Sequence, residues 1–411
     1  MSAVASLSGR DVTTRLSLLY AAIFFVFGVQ APFLSVWLRD RGLDINAIAL
    51  VLAAPRVLQF LALPLLTKWA DHRGQIVRML LISAVLMALI YSALMIAGGM
   101  VAILILVGLL FCAQAGAMPL IDVLTFAIYQ PHDRAPPRLV DEADDAPSAP
   151  FDYGAIRKWG SAAFIAANLL AGLFLSLTSL ATINLVLTWT AVVAAAAALY
   201  AAPLDALAKP APAQDTGLAG ERAPRLLTLV IVAAAIIQAS HVLVLSFGSI
   251  HWARAGYSNA FIGAAWAIGV GSETLFFGLI GRWRAASDRA AGLMILGASV
   301  ALVRWIVMAF DPGPLVLALA QAGHGFSFAA THVGTMLLIS QLAPAHMRAR
   351  AQGWMVAANS ALSAALIAAC GPLYTHLDEH AYLVMAAFAL AGLALSFIIS
   401  ARRAIDRKSV V

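Results

Sequence analysis

The sequence predicts an all-α membrane protein: twelve transmembrane helices in two pseudo-symmetric six-helix bundles, with both termini cytoplasmic. Three observations predict it. Of 411 residues, 62% are hydrophobic and 11% charged, against about 25% charged in a soluble domain. The apolar residues gather in runs of about 20, enough to cross a bilayer core as a helix. Short motifs also recur between the first and second parts of the chain.

The first run, Leu16 to Leu38, carries no charge and is too long for the apolar segment of a cleavable leader. It reads as the first membrane helix. Further runs place helices near 46–67, 77–98, 100–128, 156–177 and 181–202, then 226–250, 258–281, 290–310, 314–342, 350–374 and 381–401. The stretch 131–152, with Pro136, Pro137, Asp141 and Glu142, reads as a cytoplasmic loop. Residues 203–225, rich in Ala, Pro and charge, read as a cytoplasmic linker between bundles at 1–202 and 226–411.

Orientation follows from the basic residues, which accumulate on the cytoplasmic side. With the N-terminus inside, 21 of the 26 Lys and Arg fall on the inner side. Only Arg39, Arg41 and Arg254 fall outside, while Arg56 and Arg304 lie within helices. The net charge of +6 is therefore dispersed in loops and forms no face for nucleic acid. Cys112 and Cys370 both sit in apolar runs and read as packed small side chains, not as a disulfide or metal ligands.

The repeat supports the six-plus-six arrangement. Trp37-Leu-Arg-Asp-Arg-Gly42 with Asn46 matches Trp252-Ala-Arg-Ala-Gly256 with Asn259. Gln114-Ala-Gly116 matches Gln321-Ala-Gly323, and Arg157-Lys-Trp-Gly160 matches Arg350-Ala-Gln-Gly353. Paired bundles imply a cavity between them that opens alternately to either side, which is the architecture of a secondary transporter. No G-x-x-x-x-G-K-[ST], H-E-x-x-H or G-x-S-x-G motif is present, so an enzyme and a nucleotide-driven pump are not expected, nor is any cofactor or metal.

The segment from Thr67 to Gly74 resembles the loop motif of the major facilitator superfamily, with Asp71 and Gly74 kept, Thr67 in place of a glycine and His72 in place of an arginine. More narrowly, the chain resembles the 3-phenylpropionate permease family, near the lactose permease and nucleoside symporter groups. The residues that carry this are Asp152-Tyr-Gly-Ala-Ile-Arg157-Lys-Trp-Gly-Ser161, Gln238 to Gly256, Glu273, Arg304-Trp305, and Gln321 and His324 with His332. The resemblance implies a proton-driven, multi-pass inner-membrane importer, monomeric, for a small aromatic carboxylate. It also implies that Asp71 acts as a conformational latch, and that an acid on helix 8 pairs with Arg304 on helix 9.

An ionisable side chain at mid-membrane costs a few kcal/mol and usually faces a cavity or a partner. At 1.5 Å per residue, Arg56, Glu273, His324, Gln238 and His241 all lie roughly 14–18 Å from the outer helix ends, near the midplane. Two readings of Arg56 and Glu273 follow. Arg56 binds a substrate carboxylate while Glu273 carries the coupled proton, since a carboxyl removed from water is more readily protonated; or the two form a structural pair. His324 is placed to share that proton, and Arg304 either snorkels to the interface or pairs with Glu273.

Gln321, His324, Phe328 and His332 fall within one helical stripe about 80° wide, expected to line the cavity. Gln30, Gln59, Gln238, His241 and Asn359 are further substrate-binding candidates, and Trp266 and Phe328 are candidate surfaces for an aromatic ring. Asp122 and Arg157 are expected either to pair as an inner gate or to anchor loops, and His332 either gates or is solvated. The rival functions are a symporter of a neutral sugar or nucleoside, an exporter of amphipathic compounds, and a membrane receptor that binds without transport.

Overall fold

The computed structural model describes residues 7–57, 75–129, 153–208, 225–280, 288–344 and 347–408. In chain order its helices are α1 Gly9–Asp40, α2 Ile45–Val57, α3 Ile76–Ile96, α4 Met100–Gln114, α5 Ala117–Tyr129, α6 Tyr153–Leu177 and α7 Ile183–Ala201. They continue as α8 Arg225–Ala239, α9 Ser249–Arg254, α10 Asn259–Ile280, α11 Ala290–Met308, α12 Pro314–Ala322, α13 Ala330–Leu342, α14 Arg348–Leu377 and α15 Ala381–Lys408. The described chain is all-α, and nine of its helical stretches are long and apolar enough to cross a membrane. One of these, Arg350–Ile405, contains both α14 and α15, separated by a short turn at Asp378–His380.

Local chemistry sets the helix ends. Ser8 caps α1 through its Oγ, which accepts from the Asp11 N–H at 3.2 Å, while the Asp11 carboxylate accepts from the Ser8 N–H at 3.1 Å. This reciprocal box satisfies two donors that a helix start leaves open. Gly42 after α1 and Gly256 after α9 both adopt positive φ, 84° and 87°. Each last turn is closed by the same two backbone bonds, Gly42 N to Arg39 O and Leu43 N to Leu38 O after α1, and Gly256 N to Ala253 O and Tyr257 N to Trp252 O after α9. A left-handed residue ends a helix in this way at little cost only when it is glycine. The sequence repeat thus has a geometric counterpart at both turns.

Large apolar side chains such as Ile96, Leu177 and Leu315 point outward, as a lipid-facing surface requires. The α1 helix and the α8–α9 stretch are the most enclosed of the candidate spans, and the α7 stretch is the most exposed.

Close crossings rest on small residues, as in membrane bundles generally. Gly28 of α1 lies against Phe164 and Ala167 of α6, and Gly160 of α6 lies against Phe24 of α1, so these helices run parallel. At the shared C-terminal end of α1 and α6, Gly172 of α6 meets the Asn259 carbonyl of α10, where an added Cβ would come within 2.6 Å. At the same end Gly371 of α14 meets Asn46 and Ala49 of α2, with an added Cβ 2.8 Å from the Ala49 Cβ. Asn259 Nδ2 also donates to Leu175 O at 3.2 Å, and Ala260 N to Ser176 Oγ at 2.8 Å. Helices from before and after residues 209–224 are thereby fastened to each other at one end.

Candidate functional site

Two runs that the sequence reads as continuous helices are interrupted by π turns: Val244–Gly248 between α8 and α9, and Gly325–Ala329 between α12 and α13. A π turn takes one residue more than an α turn, so the side chains that follow are rotated by about 100° from the expected face. Such turns concentrate at functional sites. Here they lie beside His241 and His324, and Ser327 lies within the second.

Arg304 of α11 is at the centre of the resulting network. It is 4% exposed, and its donors reach only neutral acceptors. Nε donates to Ala320 O at 2.6 Å, Nη1 to Ser327 Oγ at 2.6 Å and Nη2 to Gln321 Oε1 at 3.2 Å. Nη1 also faces His324 Nδ1 at 3.4 Å. The guanidinium lies over the Trp305 ring, 4.7 Å from its centroid.

Partner chemistry fixes the proton positions. His241 Nδ1 lies 3.1 Å from the Ile237 carbonyl, an acceptor only, so Nδ1 carries the proton. His241 Nε2 is then an acceptor facing the Ser327 hydroxyl at 3.0 Å; that hydroxyl accepts from Arg304 and has the His324 carbonyl as a second acceptor at 3.2 Å. On the other side, His324 Nδ1 accepts from Arg304 and its Nε2–H is directed at Glu273 Oε2, 3.6 Å away. Donation in the chain His241–Ser327–Arg304–His324–Glu273 therefore runs outward from the arginine toward Glu273, and on the other side the Ser327 hydroxyl is shared between His241 Nε2 and the His324 carbonyl.

Backbone packing sets the position of Glu273. Gly325 N donates to Ser272 Oγ at 2.9 Å, and a Cβ on Gly325 would lie 2.5 Å from Ser272 C and 2.8 Å from Glu273 N. Only glycine lets the π turn rest on α10 at this point.

A separate cavity of about 280 Å³ lies between the two sets of helices. Its walls include Phe27, Gln30, Arg56, Phe111, Gln114, Phe164, Ser246 and Trp266. Arg56 is exposed to this space, its guanidinium carbon 5.9 Å from the Phe111 centroid. Among the described residues no carboxylate is in ion-pair contact with Arg56. Trp266 is oriented by its indole N–H, which donates to Ser249 Oγ at 2.9 Å. A larger groove of about 540 Å³, lined by Phe25, Leu170, Phe174, Leu177 and Trp189, is almost wholly apolar and opens on the outer surface.

The structure divides the sequence candidates into groups. Arg56, Gln30 and Trp266 line the cavity, whereas Glu273, His324, Arg304 and His241 form the network. The five midplane residues do not line one space, and Arg56 and Glu273 are not an ion pair. Arg304 neither snorkels nor contacts Glu273 directly; His324 stands between them. Phe328 stacks on His324 with centroids 5.2 Å apart. His332 lies against Phe277 of α10 with centroids 6.3 Å apart, one turn along α10 from Glu273, and so stays on the side of the helix that His324 presents to α10.

Asp122 and Arg157 do not pair. The Asp122 carboxylate accepts from Tyr20 Oη at 2.5 Å and Tyr153 Oη at 2.9 Å, while Arg157 lies over the Phe24 ring at 4.2 Å. Gln238 has a buried Oε1 with no hydrogen-bond partner among the described residues. Asn359 is half-buried on α14, where Ser363 Oγ approaches it at 3.5 Å, and is not part of the cavity wall. Gln59 and Asp71 lie outside the described residues. Sequence reasoning passed over Ser327, Gln114 as a wall residue, and Tyr91, which bonds both cavity glutamines.

The model of the MFS_1 like family matches residues 13–384. The chain belongs to that family, within the major facilitator superfamily of transporters. It is 26% identical over 386 residues to a protein of Escherichia coli (strain K12) described as a probable 3-phenylpropionic acid transporter, covering 93% of this chain and 97% of the relative. It is also 27% identical over 358 residues to a maltose permease of Geobacillus stearothermophilus, covering 85% and 84%. Among solved structures, a mutant of the nucleoside transporter NupG superposes with a TM-score of 0.74 at 16% identity, covering 95% of this chain and 99% of the other. The major facilitator fold explains why the cavity lies between the helices that precede and follow residues 209–224.

Proposed function

We propose that the protein imports a small aromatic carboxylate together with a proton, by alternating access across the inner membrane. The reading takes twelve spanning helices in two bundles, 1–202 and 226–411, joined by a linker at 203–225, with both termini cytoplasmic and the monomer as the working unit. It gains α2 and the α12–α13 stretch as spans beyond the nine apolar ones, with α14 and α15 counted separately. The observation that carries the substrate class is Arg56: a cation exposed to a cavity walled by Phe27, Phe111, Phe164 and Trp266. A guanidinium takes a carboxylate through two parallel hydrogen bonds, and aromatic walls suit a ring. The E. coli relative described as a probable 3-phenylpropionic acid transporter supports the same reading.

Proton coupling belongs to Glu273. Ionised, it attracts His324 Nε2–H and, through His324, the charge of Arg304; protonated, it releases them. In this topology the end held by Gly172 and Gly371 is the outer one, so the structure corresponds to a form closed outward.

Uptake of labelled 3-phenylpropionate into proteoliposomes tests the proposal, with an inward proton gradient imposed and then collapsed by a protonophore. Accumulation that follows the gradient is expected. Accumulation indifferent to the protonophore removes proton coupling. No uptake of any aromatic acid, with uptake of a sugar or nucleoside instead, replaces the substrate class.

A further inference from the structure

Gln30 of α1 and Gln114 of α4 form a reciprocal amide pair. Gln114 Nε2 donates to Gln30 Oε1 at 2.6 Å, and Gln30 Nε2 faces Gln114 Oε1 at 3.4 Å. Such a pair has two outer edges, each presenting one N–H and one carbonyl lone pair. One edge holds the hydroxyl of Tyr91: Tyr91 Oη donates to Gln30 Oε1 at 2.5 Å and accepts from Gln114 Nε2 at 3.0 Å. The opposite edge consists of the second Gln30 N–H and the second lone pair of Gln114 Oε1. It has no protein partner among the described residues. Reversing both amides exchanges donor and acceptor and leaves the same open edge.

Tyr91 is fully buried and is not part of the cavity wall, whereas both glutamines are. The occupied edge therefore faces the protein and the open one faces the cavity. A hydroxyl gives one hydrogen bond and takes one, and it is the group the first edge already binds.

We infer that the substrate carries a ring hydroxyl besides its carboxylate, and that the Gln30–Gln114 edge reads this hydroxyl; the inference rests on the aromatic-carboxylate reading above. Arg56 takes the acid, the aromatic walls take the ring, and the amide pair selects the substituted ring. A buried donor and acceptor left unmatched by an unsubstituted ring oppose its binding, so a site of this kind discriminates by refusing the analogue that lacks the hydroxyl.

The test is calorimetric titration of the purified full-length protein with phenylpropionate and with its ring-hydroxylated analogues. The wild type is expected to bind one hydroxylated isomer about tenfold more tightly than the parent acid. In Gln114→Leu that ratio is expected to fall to about one, and in Tyr91→Phe, which alters only the far edge, to persist. The ratio within one preparation is insensitive to how much of it is folded. Equal affinities in the wild type overturn the inference whatever the variants do, as does a preference that survives Gln114→Leu. Binding of the acids without preference leaves the carboxylate reading standing, while binding of none of them overturns both.

Discussion

Among the described residues Arg304 meets no carboxylate inside the bundle, but a carbonyl, an amide oxygen, a hydroxyl and an imidazole. These dipoles replace part of its hydration but not a counter-charge, and an uncompensated charge at membrane depth costs several kcal/mol. Glu273 is one imidazole away, so its ionisation is an event the arginine is placed to sense. Glu273→Gln fixes the neutral state. Exchange of labelled substrate is expected to continue while uphill accumulation is lost, and accumulation against a gradient in this variant removes Glu273 from coupling. Ser327→Ala takes away the hydroxyl shared by Arg304 and His241, leaving two buried groups without their partner. The expected loss is about 1–3 kcal/mol of stability, read as earlier thermal unfolding in detergent. In the cavity, Arg56→Ala is expected to abolish carboxylate binding. Arg56→Lys keeps the charge without the planar fork and should weaken binding roughly tenfold or more, given about 1.5–3 kcal/mol for a charged hydrogen bond. Unchanged affinity in Arg56→Ala ends its role as an anion site.

Among elements, the decisive contact is Gly325 in the π turn against Ser272 and Glu273 of α10. Gly325→Ala must push α10 away or straighten the turn, and either displaces Glu273 from His324. Overpacking of this kind costs about 1–3 kcal/mol, and coupling is expected to fall further than substrate exchange. The ratio of accumulation to exchange measures this, and an unaltered ratio shows that the crossing does not position Glu273. The contact also marks the boundary of what the sequence made legible. Helix positions were readable because hydropathy averages over a whole span: the run at 156–177 is α6, and that at 290–310 is α11. The π turns were not readable, since one added residue changes neither hydropathy nor length. Ser327 was invisible for a related reason: a serine in a membrane helix usually bonds its own preceding turn, and only the altered register brings it between Arg304 and His241. The reading of Asp122 and Arg157 as either a pair or loop anchors missed the tyrosines because phenol donors at Tyr20 and Tyr153 leave no charge pattern to read.

At the scale of the whole molecule, the two sets of helices meet in a repeated manner: Gly172 against Asn259, and Gly371 against Asn46. Asn46 and Asn259 are the residues paired by the sequence repeat, so the twofold relation legible in short motifs reappears as two matching contacts at one end. Each crossing depends on a missing methyl, against backbone at Gly172 and against Ala49 and Asn46 at Gly371, and the two together fasten this end. Enlarging one of them should therefore act on the equilibrium between states more than on either bundle alone. Gly263, where an added Cβ would collide with the Asn168 carbonyl, is the tightest glycine at these crossings. Gly263→Ala is expected to disfavour the form closed at this end, which the proposed topology makes the outer one. The readout is the labelling rate of Ser35→Cys, a position in the cavity wall, by an impermeant maleimide added to whole cells lacking Cys112 and Cys370. A shift of about 1.4 kcal/mol between the two forms changes their ratio tenfold, so labelling from outside should speed up by about that factor in the glycine variant. Slower labelling would place this end of the molecule on the cytoplasmic side, and an unchanged rate would mean that the α6–α10 crossing does not separate during the cycle.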